Sequence, residues 1–291
     1  MNAINLYFLS RIEDREEFAL YEKRLSMRPQ LLSVREHERA SLASFISYAS
    51  ASGASLQDFD SFYYNYSIPQ IGKEFDLLKI TPNYILNIES KSQEIEFERI
   101  QTQLKRNKHY LRHTGRQIYS FTYTASTNEV YQLNDSETLE FSDITTLLNI
   151  MRQLSGTYIT DINQLFRASE FLVSPLNTPE KFIRNEYFLT KQQEEFKQAI
   201  LAFMRQNTWQ YYKITGLAGT GKTLLLYDIA KECSKQNKCC IIHCGSLSDG
   251  HVFLNDHLQN VKIISAKCAQ RYFDFSEYEY IFVDEAHRLH N

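Results

Sequence analysis

Eight residues, Gly216-Leu217-Ala218-Gly219-Thr220-Gly221-Lys222-Thr223, have the composition and spacing that grip a polyphosphate. Glycines let consecutive backbone N–H groups converge on phosphate oxygens, and a helix beginning at the loop adds the attraction of its dipole. Lys222 would reach the β- and γ-phosphates, and the Thr223 hydroxyl would ligate Mg²⁺. Gly216, Gly219 and Gly221 are three of only nine glycines in the chain, which argues against a chance glycine-rich turn. Downstream, the apolar run Ile281-Phe282-Val283 delivers Asp284 and Glu285 to the end of a strand. Asp284 would hold the magnesium ion through water, and Glu285 would orient and deprotonate an attacking water.

A second set of chemically capable residues lies in the first half. Asp76 stands in EFDLLKI, and Glu89-Ser90-Lys91 closes YILNIESK. Glu89 and Lys91 are two apart, so on a strand they share a face. The Thr81-Pro82-Asn83 turn folds the two strands antiparallel and can bring Asp76 beside Glu89. Two carboxylates and a lysine converging in this way suit a Mg²⁺ site, with Mn²⁺ as an alternative ion. A third acid is expected from the preceding helix. With Leu42, Phe45, Ile46 and Ala49 as its buried stripe, Glu38 falls within the stripe and Glu36 points away. In a later helix, Gln103 and Asn107 flank the stripe Ile100–Leu104–Leu111 in the same manner. Lys105, Arg106, Lys108, Arg112 and Arg116 fall between Arg99 and Asn128, a stretch without acids. Beside a metal site they would track a nucleic-acid backbone.

The elements that must position these groups follow from periodicity. Residues 11–50 read as helical. From Phe62 the texture changes to strands: FYYNYSI, EFDLLKI and YILNIES. A helix is expected at about Glu94–His113, then a hairpin of QIYSFTYT and EVYQL, then a helix over DITTLLNIMRQL. Residues 155–188, with Gly156, Pro175 and Pro179, read as a connector. Beyond it come a helix opened at Thr190, a strand WQYYKIT, the glycine loop, a helix, and strands CCIIHC, VKIIS and YIFVDE. Strands alternating with helices predict a parallel sheet. The expected organisation is a mixed-sheet α/β domain over residues 1–154, the connector, and a second, parallel α/β domain over residues 189–291.

The chain has 291 residues, which suits two domains, and its 43% apolar and 23% charged residues are ordinary for a globular protein. A net charge of -3 argues against a uniformly basic nucleic-acid binder but leaves room for a local basic face. The N-terminus resembles neither a signal peptide nor an anchor, and no membrane interaction is expected. The five cysteines, all in the last third, are expected to be reduced in a cytoplasmic protein. The cluster Cys239-Cys240-x-x-His243-Cys244 invites a zinc reading, but on one strand its ligands would point to both faces.

The order helix, Asp76, Glu89-Ser90-Lys91, then a helix carrying Gln103 resembles the PD-(D/E)XK nuclease superfamily over about residues 30–135. Phe75 stands where a proline often precedes the aspartate. This resemblance implies catalytic roles for Asp76, Glu89, Lys91 and Gln103, with Glu38, Asp76 and Glu89 around a metal. The series Leu189-Thr190-Lys191-Gln192-Gln193, the glycine loop and Asp284-Glu285-Ala286-His287 resembles a superfamily 1 helicase ATPase domain, of RecA-like fold, also found in Schlafen-like proteins. That resemblance covers about residues 175–291 and implies ATP and Mg²⁺ as cofactors. Gln193 then resembles an adenine-reading glutamine; Thr190-x-x-Gln193 is equally a helix capping box, and both readings stay open. On this pattern the ATPase domain is expected to stop just after Asp284–Glu285, leaving an oligomer or a partner to supply the second half of a motor. The resemblances together imply metal-dependent cleavage of DNA, with RNA as the alternative, coupled to ATP, as in bacterial DNA-processing and anti-phage defence enzymes. The rival expectation is a regulatory ATP-binding module whose first domain binds nucleic acid or a partner without cutting.

Overall fold

The computed structural model describes residues 1–69, 71–154, 161–166, 173–204 and 211–290. The chain divides into two compact units, Met1–Arg167 and Ala168–Asn291. The protein is mixed α/β: a six-stranded mixed sheet in the first unit and a three-stranded parallel sheet with helices in the second.

The first unit opens with α1 (Leu6–Leu9), α2 (Arg15–Ser26) and α3 (Glu36–Ala51). The helix expected over 11–50 is therefore broken in two. Met27 enters the left-handed region at φ 56° and ends α2. Arg28 then turns inward, pairs with the buried Glu22 at 3.2 Å, and donates to the carbonyls of Tyr64 (2.7 Å) and Asn65 (3.1 Å). Pro29, which cannot continue a helix and disfavours helical backbone at the residue before it, stops the helix locally, and the bonds of Arg28 then hold the turn in place. The strands are β1 (Phe62–Ser67), β2 (Glu74–Ile80), β3 (Tyr84–Lys91), β4 (Gln117–Thr124), β5 (Glu129–Leu133) and β6 (Leu139–Ser142), hydrogen-bonded in that order. β6 has no counterpart in the sequence reading, being only four residues long. Helix α4 (Phe97–Arg112) is the crossover that makes β3 and β4 parallel neighbours, while the other pairs are antiparallel. Helix α5 (Ile144–Gln153) follows.

β3 is buried on both faces over Ile85–Glu89, apolar on one face and carrying the buried polar Asn87 and Glu89 on the other. Leu86 and Ile88 join Leu42, Phe45, Ile46 and Ala49 of α3 in one core. The alternate residues Asn87 and Glu89 face the other way, toward α4. Each fully buried Leu or Phe in that core stabilises by about 1.5–3 kcal/mol. That is the force holding α3 and α4 at fixed depths on opposite faces of the strand.

In the second unit, α6 (Pro179–Ile183), α7 (Lys191–Met204), α8 (Lys222–Cys233), α9 (Asp249–His257) and α10 (Ala266–Tyr272) accompany β7 (Cys239–His243), β8 (Val261–Ser265) and β9 (Tyr280–Asp284). The sheet order is β8-β7-β9, all parallel. The segment read as a connector contributes to both cores: Phe166 packs on Tyr66 at 5.5 Å, and Phe182 stacks on Tyr187 at 5.0 Å. Residues 155–160 and 167–172 of that segment lie outside the described residues. The expected strand WQYYKIT is not formed over residues 211–215, where Tyr211 is 98% exposed. Its Trp209 and Gln210 lie outside the described residues. An aromatic-rich run has strand propensity, but propensity becomes a strand only where a neighbour pairs with it and buries it.

Candidate functional sites

β2 and β3 bring the first set together. The antiparallel register Leu77↔Ile88 places Asp76 opposite Glu89 one step further on. The Ser90 N–H donates to Asp76 Oδ2 at 2.8 Å, tying the carboxylate to the neighbouring strand. Glu89 is 2% exposed and is held from α4: Gln103 Nε2 donates to Oε2, and Asn107 Nδ2 donates to Oε1 at 2.6 Å. Gln103 and Asn107 are four apart, so one helix face presents both amides to one carboxylate. Burial pushes the Glu89 carboxyl up to about 7, and the Asp76 charge adds to this. Burial likewise raises Asp76, against the opposing pull of the Ser90 N–H and of Lys91 and Lys73.

A cavity of about 280 Å³ opens at Asp76 and is lined by Glu38, Tyr64, Asp76, Ser90 and Lys91 but not by Glu89. Glu38 therefore reaches the same cavity as Asp76 and Lys91, while its Oε2 also accepts the Arg35 N–H at 3.0 Å and caps α3. Among the described residues, no three His, Cys, Asp or Glu side chains stand close enough together to hold a metal ion. The acids line one region without closing a shell. Lys73, in the turn before β2, went unnoticed in the sequence. Burial lowers its pKa, and the nearby Glu89 and Asp76 charges oppose that lowering. No spacing rule reaches it, because the turn, not a motif, sets its place.

The basic run on α4 is largely committed elsewhere. Lys108 is 9% exposed and points at the Asn134 carbonyl at 3.4 Å. Arg112 pairs with Glu137. Arg116 donates to the carbonyls of Thr81 (2.9 Å) and Thr114 (3.1 Å). The compensating acid missing from residues 99–128 is supplied by the β5–β6 turn, so the continuous basic face expected from sequence is not assembled. Lys105 is half-buried and Arg106 exposed.

In the second unit, Gly219 and Gly221 take φ of 79° and 77°, conformations that L side chains resist, and α8 begins at Lys222. Lys222 Nζ spans the loop, donating to the carbonyls of Gly216 (3.0 Å) and Leu217 (2.8 Å). Thr220 Oγ1 donates to Leu217 O at 2.9 Å. The Thr223 hydroxyl donates to Asp284 Oδ1 at 3.1 Å across 61 positions of sequence, which joins the loop to the end of β9. Both halves of the capping box form: Thr190 N–H donates to Gln193 Oε1 (2.8 Å) and Gln193 N–H to Thr190 Oγ1 (3.2 Å). Gln193 Nε2 meanwhile donates to Thr220 O at 3.0 Å. Its amide thus fastens the loop to α7. Glu285 adopts a φ of 56°, and its carboxylate lies 3.4 Å from His287 and 3.5 Å from Arg288, a pairing not foreseen from sequence.

One further neighbour of Asp284 was missed: His243, whose Nδ1 is 3.3 Å from Asp284 Oδ2. The cysteines flanking it are structural. Cys239, Cys240 and Cys244 are buried and unpaired, and burial raises all three thiols. Among the described residues, no helix is long and apolar enough to cross a membrane. No family model, curated protein or solved structure matches the chain.

Proposed function

We propose that this protein is a metal-dependent nuclease joined to an ATP-binding, helicase-type unit, with DNA as its substrate and RNA as the alternative. On this reading the first unit is a PD-(D/E)XK-like domain and the second a RecA-like one, as in DNA processing or defence against phage. The observation that carries it is the placement of Asp76 and Glu89 on adjacent strands, with Gln103 and Asn107 holding Glu89 and Lys91 closing the strand. Two carboxylates made costly to ionise by burial are relieved by a cation, and their oxygen chemistry suits Mg²⁺ or Mn²⁺. Bound there, the ion would polarise a phosphodiester and lower the pKa of a water. Asp76 and Glu89 would hold it, Gln103 and Asn107 fix the angle of Glu89, and Lys91 offset charge on the phosphate. In the second unit the Gly216–Thr223 loop and Lys222 would bind the phosphates of ATP, with Thr223 and Asp284 on Mg²⁺.

The test is cleavage of a labelled DNA and RNA panel by wild type, Asp76→Ala and Glu89→Ala, with metal and with EDTA. Cutting should require metal and fall by more than about a hundredfold in each variant, more than is lost when a residue supporting a ligand is removed. Cutting that persists in both variants would refute the assignment. A second reading, a regulatory ATP-binding module whose first unit binds nucleic acid or a partner without cleaving it, is favoured by the open arrangement of acids and the committed basic run. Nucleic-acid binding that survives EDTA, with no cutting on any substrate, would select it.

A further inference from the structure

We infer that His243 is a positioning residue for Asp284, fixing the carboxylate that the ATP-binding reading places on magnesium; the inference rests on that reading. β7 is the central strand of its sheet, and the parallel register sets His243 directly beside Asp284. The two side chains are only 10% and 7% exposed, and the Cys244 N–H donates to the Asp284 carbonyl at 3.0 Å, locking the backbones together. The carboxylate oxygens are divided. Oδ1 accepts from the Thr223 hydroxyl, and Oδ2 lies 3.3 Å from His243 Nδ1. An ionised carboxylate can only accept, so Nδ1 carries the hydrogen. The plane of the carboxylate is thereby held from both sides.

The ring of His243 is itself held. It packs against His251 of α9 at 4.4 Å between centroids and 49° between planes. His251 is 1% exposed, and its Nδ1 accepts the Ser248 N–H at 2.9 Å. Next to His243 Nε2 lies Gly245, where a Cβ would come within 2.8 Å of that nitrogen. The glycine leaves the ring the room it occupies. Nitrogen donors behind ligating carboxylates orient them, and losing such a support costs about 10–100-fold in metal affinity.

The test is ATP binding to the full chain by calorimetry, across a Mg²⁺ titration and again in EDTA. His243→Ala should raise the Mg²⁺ needed for half-maximal binding by about 10–100-fold, with ATP affinity in EDTA unchanged. His243→Asn should recover most of the loss, because its amide can donate from nearly the place of Nδ1. Gly245→Ala should shift the Mg²⁺ requirement in the same direction by displacing the ring. An unchanged Mg²⁺ requirement in His243→Ala overturns the inference while leaving the ATP site standing. So does an equal loss with and without metal in both His243 variants. Absence of any ATP–Mg²⁺ binding by wild type overturns the ATP-binding reading, and this inference with it.

Discussion

The two candidate sites solve opposite physical problems. In the first unit, charge is buried: Glu89 is 2% exposed, Asp76 sits opposite it, and both are pushed toward the neutral form. Glu89 is held from a helix 14 and 18 positions further along, and Lys73 stands in the turn just before β2. In the second unit, the glycine loop satisfies itself, with Lys222 on the carbonyls of its own loop and Gln193 on Thr220. The first arrangement stores unfavourable electrostatics that a cation can release. The second is an open loop, and on the proposed ATP-binding reading its contacts must be exchanged when a phosphate arrives. Buried charge costs stability unless it is compensated, whereas a local loop costs little and is correspondingly easy to read.

The largest effect expected from this contrast is on stability, at a buried lysine on the same strand as Asp76 whose charge Asp60 and Asp58 offset only in part. Lys79 is fully buried beneath α5, with Nζ 3.5 Å from the Met151 carbonyl and 5.2 Å from the Phe62 ring centre. Burial lowers its pKa from 10.5 to about 8. The unfolded chain therefore keeps a proton between pH 8 and 10.5 that the folded chain gives up. Stability rises across that window and carries the full penalty below it. Lys79→Met, of similar volume, should stabilise at pH 7 by up to about 3 kcal/mol, with the gain fading as pH climbs toward 10.5. Denaturant unfolding at pH 7 and pH 10 measures it. A destabilised variant at pH 7 would mean the charge is better compensated than its surroundings indicate.

A smaller effect is expected at the open cradle. Lys222→Ala should weaken ATP binding at least about tenfold, since hydrogen bonds to charged groups are worth about 1.5–3 kcal/mol. The melting temperature without nucleotide should hardly move, because the lost bonds reach only carbonyls of the same loop. A large drop in melting temperature would erase the distinction between the two sites. The smallest effect is reserved for the basic helix. Lys108, Arg112 and Arg116 are engaged within the fold, and on the nuclease reading the exposed Arg106 and half-buried Lys105 are the residues of the run to test against a nucleic-acid backbone. The double variant Lys105→Ala, Arg106→Ala should flatten the slope of log affinity against log salt by about 2 at most. Binding measured at several salt concentrations would sharpen or cancel that assignment.

The amino-acid sequence by itself determined what is local. The octet at Gly216–Thr223, the capping box at Thr190 and Gln193, the apolar approach to Asp284 and the β2–β3 hairpin all depend on neighbours within a few residues, where spacing and side-chain type decide geometry. Tertiary structure alone decided the remainder. It left residues 211–215 outside the sheet, because among the described residues no strand pairs with them. It withdrew three cations from the basic run by placing carbonyls and Glu137 against them. It brought Lys73 near Glu89 and Asp76, and His243 against Asp284. The contacts of Lys108, Arg112, Arg116 and His243 reach partners 25 to 41 positions away, so they exist only once apolar burial has fixed the distances between elements. No window of sequence contains them.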